Sequence, residues 1–448
     1  DIEEEFELTK KIEEEVLEKW KREKTFEKSV QRRKNSPPFV FYEGPPTANG
    51  KPGIHHVLSR SFKDIICRYK TMQGFLVERK AGWDTHGLAV EIETEKRLGL
   101  KSKKDIEQYG IEKFNAECKK SVWEYKQDWE NLTERMGFWI DLEHPYITYQ
   151  TSYLETLWFI IKAFWQKGLL FKGYKVVPYC TRCGTPLSSH ELAQGYKTVE
   201  NDSVYMKFRM KPGQKIGNWI TDDKTYILSW TTTPWTLPGN VALAVGEKVS
   251  YVRIQPKNVN ETYILAKDLV QAVFKDFVGT PGSFFNGKDL IGLSYQQLFP
   301  IESLRNEKSH KIYAADFVTT TNGTGVVHTA VMYGEDDYNL GVKVGLPQHH
   351  TVGETGMFTK EVPGQIAGLP VQARETDEKI FAYLKENNNF LAVQKYSHEY
   401  PFCWRCSTPL LYYAKDSWFV NMQKVKRELI ANNGNINWVP SHVKEGRM

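Results

Sequence analysis

At 448 residues the chain is too long for one ordinary domain, and a usual size of about 150 residues sets an expectation of two or three. The 60 basic and 55 acidic residues leave a net charge of +5, a mixed balance that permits a nucleic-acid partner without a basic tail to argue for one. No apolar run reaches the roughly 20 residues of a membrane span, because Lys162 and Gln166 interrupt the best stretch around Trp158–Ile161; no membrane association is expected.

The acidic start Asp1–Glu5 carries no secretory signal, and the missing initiator Met points to trimming or disorder upstream. Ile12, Val16, Leu17 and Trp20 recur at helical spacing and predict an amphipathic surface helix over about 8–24. After Pro37-Pro38, residues 39–41 read as a short buried strand, followed by a loop rich in Gly and Pro (residues 42–53) and by His55 and His56 at a helix start. The helix continues over residues 57–69. A strand, a loop and a helix N-terminus gather unpaired N–H groups and the positive dipole end, which suits a phosphate. Spacing alone leaves open a strained connection in which the histidines merely cap the helix.

Residues 75–78 predict a second strand, so that strand, helix and strand form a βαβ unit with ligands bound beyond the carboxyl ends of its strands. Asp84, in Gly82-Trp83-Asp84-Thr85-His86-Gly87, falls on that rim as an amine-binding carboxylate or as a helix N-cap. Residues 111–136 read as one amphipathic helix whose apolar face includes Cys118, a core residue by its surroundings.

Of six cysteines, four form two Cys-x-x-Cys pairs, Cys180/Cys183 and Cys403/Cys406. That usage suggests a reducing, cytoplasmic setting and a four-thiolate zinc site with no open position for catalysis. If both pairs hold one ion, most of residues 184–402 is an insertion. Its texture supports this, with short β-rich runs at 203–208, 226–230, 249–254 and 262–265 separated by Gly, Pro and Asn, as in a barrel-like all-β domain. Two polar clusters stand out there. One runs through Thr231, Thr232, Thr233 and Asn240; the other contains His328 and leads to Asp337. Threonine hydroxyls, a histidine and an aspartate suit the placing of a hydrolytic water and the ribose of an ester. Each, taken singly, is more often a satisfied turn or strand-end residue.

Tyr42-Glu43-Gly44-Pro45-Pro46-Thr47-Ala48-Asn49-Gly50, Gly82-Trp83-Asp84-Thr85-His86-Gly87-Leu88, Thr231-Thr232-Thr233-Pro234-Trp235-Thr236-Leu237-Pro238 and Gly323-Thr324-Gly325-Val326-Val327-His328-Thr329-Ala330 resemble the bacterial-type isoleucyl-tRNA synthetases, from about residue 10 onward. The resemblance implies an α/β fold: the first half of a Rossmann-type parallel sheet with the first zinc knuckle (1–195), an inserted β-barrel-like editing domain (196–395), and the second knuckle with a return to the catalytic domain (396–448). It implies ATP-dependent activation of isoleucine, transfer to tRNA(Ile) and hydrolytic editing of valyl-tRNA(Ile). ATP with Mg enters as substrate, zinc is structural, and a monomer is expected. Gly44, Pro45, Pro46, Asn49, Asp84 and His86 would bind substrate, with Asp84 on the ammonium. His56 would stabilise charge on the α-phosphate, with His55 as an inferred substitute for the signature's absent first His. Thr231, Thr232, Thr233, Asn240, His328 and Asp337 would form the editing site.

The chain departs from the family pattern in three places. The signature normally written His-Ile-Gly-His reads Gly53-Ile54-His55-His56; Ala89 stands for a usual Pro; and Val331-Met332-Tyr333 replaces a more polar run. The KMSKS loop, the second Rossmann half and the anticodon-binding helices are expected to lie outside these residues, which marks the chain as a fragment. A stand-alone editing deacylase and a zinc-stapled tRNA-binding module are the alternative readings.

Overall fold

The computed structural model describes residues 2–101, 103–257, 259–275 and 279–446. The chain divides into two compact units, one made of Asp1–Phe171 with Val420–Met448, the other of Lys172–Phe419. Among the described residues no helix is long and apolar enough to cross a membrane.

In the first unit, helices Ile2–Glu23 and Thr25–Gln31 precede a loop, and the helix Ile54–Met72 starts at the paired histidines. The strand expected at 39–41 does not form. Pro38 and Leu76 make only a single parallel bridge, closed by Leu76 N–H to the Pro37 carbonyl at 3.0 Å and Phe39 N–H to the Leu76 carbonyl at 2.8 Å. Pro37 and Pro38 have no N–H to extend a ladder. The strand expected at 75–78 is likewise displaced to Lys80–Trp83, which pairs in parallel with Asp141–Ile147. The observed class is thus mixed α/β with parallel pairing. Gly82 permits that pairing, since a Cβ there would lie 2.2 Å from the Tyr146 ring.

The single helix expected over 111–136 is two, Ile111–Ser121 and Lys126–Arg135. No Gly or Pro marks the break. It comes from tertiary packing: Trp123 and Tyr125 pack on a core of Ala48, Trp83 and Trp129, with the Trp83 and Trp123 rings edge to face at 6.3 Å. Cys118 is half-buried on the first of these helices.

The second unit is built on a six-stranded sheet in the order Gly279–Asn286, Ser250–Pro256, Thr262–Ala266, Thr225–Thr231, Tyr196–Arg209, Phe390–Pro401. Its pairings are antiparallel except between Thr262–Ala266 and Thr225–Thr231. Period-2 alternation feeds two cores. Val204, Met206, Phe208, Ile227 and Ile264 enter the larger one, whereas Tyr226, Leu228, Tyr263 and Leu265 enter the smaller.

A second sheet, Lys311–Ala314, Ala242–Val245 and Val326–Thr329, shares the larger core. Its middle strand is wholly buried. Single bridges Met210–Tyr295 and Ser294–Lys311 link the two sheets at one corner.

The long ribbon of Tyr196–Arg209 with Phe390–Pro401 runs to a crossing where Gly195 and Phe402 meet. Phe402 N–H donates to the Gly195 carbonyl at 2.8 Å, and a Cβ on Gly195 would sit 1.9 Å from the Phe402 carbonyl oxygen. The obstacle is backbone, which cannot rotate aside. Gly195→Ala is therefore expected to cost about 1–3 kcal/mol, read as a lower midpoint in chemical denaturation with an unchanged slope; an unchanged midpoint would show that the crossing yields.

Candidate functional site

The first unit holds a cleft of about 440 Å³ lined by Glu43, Gly44, Pro45, Pro46, Thr47, Asn49, Gly50, Lys51, His56, Ser59, Arg60, Lys63 and Trp129. Its floor is a loop without regular structure, held by neighbours at several points. Tyr146 hydroxyl donates to the Glu43 carbonyl at 2.8 Å, Trp129 Nε1 to the Gly50 carbonyl at 2.9 Å, and the Asp84 N–H to the Pro46 carbonyl at 3.0 Å. Asn49 Nδ2 reaches the Ala89 carbonyl at 3.2 Å. The Glu43 carboxylate is buried and pairs with Lys63 Nζ at 2.9 Å.

Opposite the loop stands the N-terminus of the helix Ile54–Met72. Gly53 N–H donates to His56 Nδ1 at 2.9 Å, so Nδ1 is an acceptor and the ring proton belongs on Nε2. Burial lowers the His56 pKa, and the neighbouring His55 lowers it further. His56 is thus a neutral N–H donor at a positive helix end, edge-on to Trp129 at 4.6 Å. His55 is exposed and does not line the cleft; its ring lies over His56, centroids 3.8 Å apart. The residue pair at 53 and 55 is sterically linked, because a Cβ on Gly53 would lie 2.9 Å from His55 Cε1.

Asp84 adjoins the loop, where Thr47 Oγ1 approaches its Oδ2 at 3.5 Å. His86 turns its Nδ1 to Thr148 Oγ1 at 2.9 Å. Gly44, Pro45, Pro46, Asn49 and His56 therefore share one cleft, with Asp84 beside it. Arg60 and Lys63 were missed from sequence, although they follow His56 by four and seven residues and so fall on one helix face.

In the second unit, four thiols come together. Cys180, Cys183, Cys403 and Cys406 offer sulfur atoms all within 4.8 Å of one another, with Cys406 Sγ 3.5 Å from both Cys180 Sγ and Cys183 Sγ. Four sulfurs tetrahedrally placed at a Zn–S distance of about 2.3 Å stand roughly 3.8 Å apart, so the donors fit zinc. All six cysteines are free. The two turns repeat each other: Gly184 N–H donates to the Cys180 carbonyl and Ser407 N–H to the Cys403 carbonyl, both at 2.8 Å. Both Gly184 and Ser407 have positive φ, 62° and 57°. Glu191, on the short helix Ser189–Ala193, accepts from Trp404 Nε1 at 3.2 Å and pairs with Arg405, tying that helix to the second turn.

The threonine cluster also meets the histidine strand. Thr233 N–H donates to Thr231 Oγ1 at 3.1 Å, and the hydroxyls of Thr231 and Thr233 are 3.1 Å apart. Thr236 Oγ1 is 2.9 Å from His328 Nε2. Thr232 is half-buried beside them. Asn240 is buried and engaged at both ends of its amide, by Tyr295 hydroxyl at 2.7 Å and the Ala242 carbonyl at 2.9 Å. Asp337 Oδ2 accepts from Ala330 N–H at 3.1 Å, which anchors the chain two residues past His328. Burial raises the Asp337 carboxyl to about 7 and lowers His328 to about 4.

A carboxyl raised on folding favours the folded state while it is protonated, and that contribution is lost as pH rises through the folded value. Wild type is therefore expected to lose stability relative to Asp337→Asn between about pH 4 and about pH 7, with the difference level above; denaturation midpoints across that range measure it, and a difference that does not change with pH would overturn the burial argument.

The family model described as tRNA synthetases class I (I, L, M and V) matches residues 15–448. An isoleucine–tRNA ligase of Clostridium novyi (strain NT) is 47% identical over 97% of this chain and 40% of its own length. One from Thermus thermophilus is 48% identical over 98% of this chain and again 40% of its own length. The chain thus spans about two fifths of these relatives. Likeness to solved structures is weaker: GlLeuRS-CP1 matches at 15% identity and a TM-score of 0.34, over 43% of this chain and 99% of that one. On the family match, which takes in the cleft, the four thiols and the threonine–histidine cluster alike, the chain belongs to the class I tRNA synthetases of the I, L, M and V group.

Proposed function

We propose that this chain is the part of an isoleucine–tRNA ligase that activates isoleucine with ATP and clears valine from mischarged tRNA(Ile). The observation that carries the reading is the clamped cleft facing the helix N-terminus at His56, in a chain about 47% identical to isoleucine–tRNA ligases. His56 Nε2–H and the helix end supply donors for charge that builds on an α-phosphate oxygen. Asp84 takes the ammonium of isoleucine, and Gly44, Pro45 and Pro46 supply a wall with little polar surface. His86 orients the Asp84 segment through Thr148, and His55 limits how far a nucleotide base can approach His56.

Residues 196–395 are read as the editing domain, between a catalytic segment 1–195 and its return at 396–448. One missing methylene is worth too little for a single pocket to reject valine strongly, a limit for which isoleucine-activating enzymes are the standard illustration. A second, hydrolytic site answers it. Thr231, Thr232 and Thr233 contact the terminal ribose and the acyl group, His328 shapes the site, and Asp337 binds the amino group. Asn240 supports this strand end from within the core. Zinc at the four cysteines staples the chain and does no chemistry, having no open position. A monomer in the cytoplasm suits all of these roles.

Two measurements test the reading. Valyl-tRNA(Ile) deacylation by the chain is expected to fall by about 10²-fold or more in Thr233→Ala and in Asp337→Ala; unaltered rates in both would end the assignment of this editing site, and tRNA binding with no deacylation by the chain would leave a tRNA-binding module. Metal analysis is expected to find one zinc per chain, lost in Cys403→Ser together with a drop in melting temperature; a Cys403→Ser protein that keeps its zinc would sink the four-ligand site.

A further inference from the structure

Proton counting at the threonine–histidine cluster assigns a tautomer. Thr236 Oγ1 lies 2.8 Å from the Thr233 carbonyl oxygen and 2.9 Å from His328 Nε2. A carbonyl only accepts, and a hydroxyl has one proton to give. That proton goes to Thr233, so the contact with His328 closes only when Nε2 carries the hydrogen. The Thr233 carbonyl also takes the backbone N–H of Thr236 at 3.0 Å, which leaves the hydroxyl little freedom to swing away. On the other side of the ring, Nδ1 is buried and has no hydrogen-bond partner among the described residues. His328 is 7% exposed, and burial keeps the ring neutral near pH 7. A buried acceptor left open calls for an explanation, and a ligand's donor supplies one.

We propose that Thr236 is a positioning residue that holds His328 as the Nε2–H tautomer, so that what the ring offers a bound aminoacyl ester is the lone pair of Nδ1. The ester part of this inference rests on the hydrolytic reading above; the tautomer does not. A bare Nδ1 accepts from the ester's α-ammonium or from the attacking water, whereas the opposite tautomer would present an N–H that repels the ammonium and cannot accept from the water. The strand is held for this purpose at two places: Thr236 grips the ring, and Asp337 grips the Ala330 N–H just beyond it.

The test is a ¹⁵N-histidine spectrum of the chain at neutral pH, with the His328 signals identified by their loss in His328→Asn. Nε2 is expected to resonate as a protonated nitrogen and Nδ1 as an unprotonated one. Thr236→Val should move both signals toward the values of an exchanging ring, and Thr236→Ser should restore them. In valyl-tRNA(Ile) deacylation, Thr236→Val is expected to lower kcat about tenfold with little change in KM, and the serine variant to stay near wild type. A protonated Nδ1 in wild type overturns the proposal even if Thr236→Val fails to fold. Spectra as expected with no deacylation by any protein would instead retire the hydrolytic reading and leave the tautomer standing.

Discussion

The structure depends first on the chain's return to its own starting point after a long excursion. Cys183 and Cys406 are 223 residues apart in sequence and 3.5 Å apart in space. Closing a flexible loop of that length costs roughly 5 kcal/mol of chain entropy. The Tyr196–Arg209 and Phe390–Pro401 ribbon offsets that cost with an antiparallel ladder whose register is regular from Ala392 to Pro401, and the Gly195–Phe402 crossing passes the two chains so close that only glycine fits. The paired turns at the four thiols lie at the foot of that ribbon, and a cation shared among them would fasten both ends together.

Within each unit, long-range contacts to backbone carbonyls and between side chains place the candidate site residues. The loop over residues 43–51 has too many Gly and Pro residues to support itself by regular structure. It is held from outside, by an indole N–H, a phenol and an amide N–H, each aimed at one of its carbonyls. The threonine cluster follows the same logic. Thr233 and Thr236 close a tight turn on themselves, and the histidine strand is brought to that turn by the second sheet.

Much of this was legible in the residues. Helical period marked the Ile2–Glu23 and Ile54–Met72 helices, and alternation with turn residues marked strands that the structure extends at their ends: residues 203–208 became part of Tyr196–Arg209, and 226–230 part of Thr225–Thr231. Two Cys-x-x-Cys pairs declared a four-thiol cluster because metal ligand geometry tolerates few spacings. Where the reading failed, local signal was absent. Nothing between Val122 and Tyr125 breaks a helix by propensity; the break follows from Trp123 meeting Trp83 across the fold. Residues 39–41 have strand composition, yet a ladder needs N–H groups that the preceding prolines lack.

The sequence by itself determined the residue chemistry: which groups can ionise, bind a metal, donate a proton or cap a helix. It also determined the local periods, since those follow from backbone geometry within a few residues. Only the tertiary structure decided which groups meet. Thr236 is no more conspicuous in the chain than its neighbours, and its contact with His328 spans 92 residues; Glu43 meets Lys63 through the fold of a loop; and Asp337 is raised by burial that no local pattern announces. Proton placement, burial and cleft shape depend on atoms far apart along the chain, and sequence spacing carries no record of those distances.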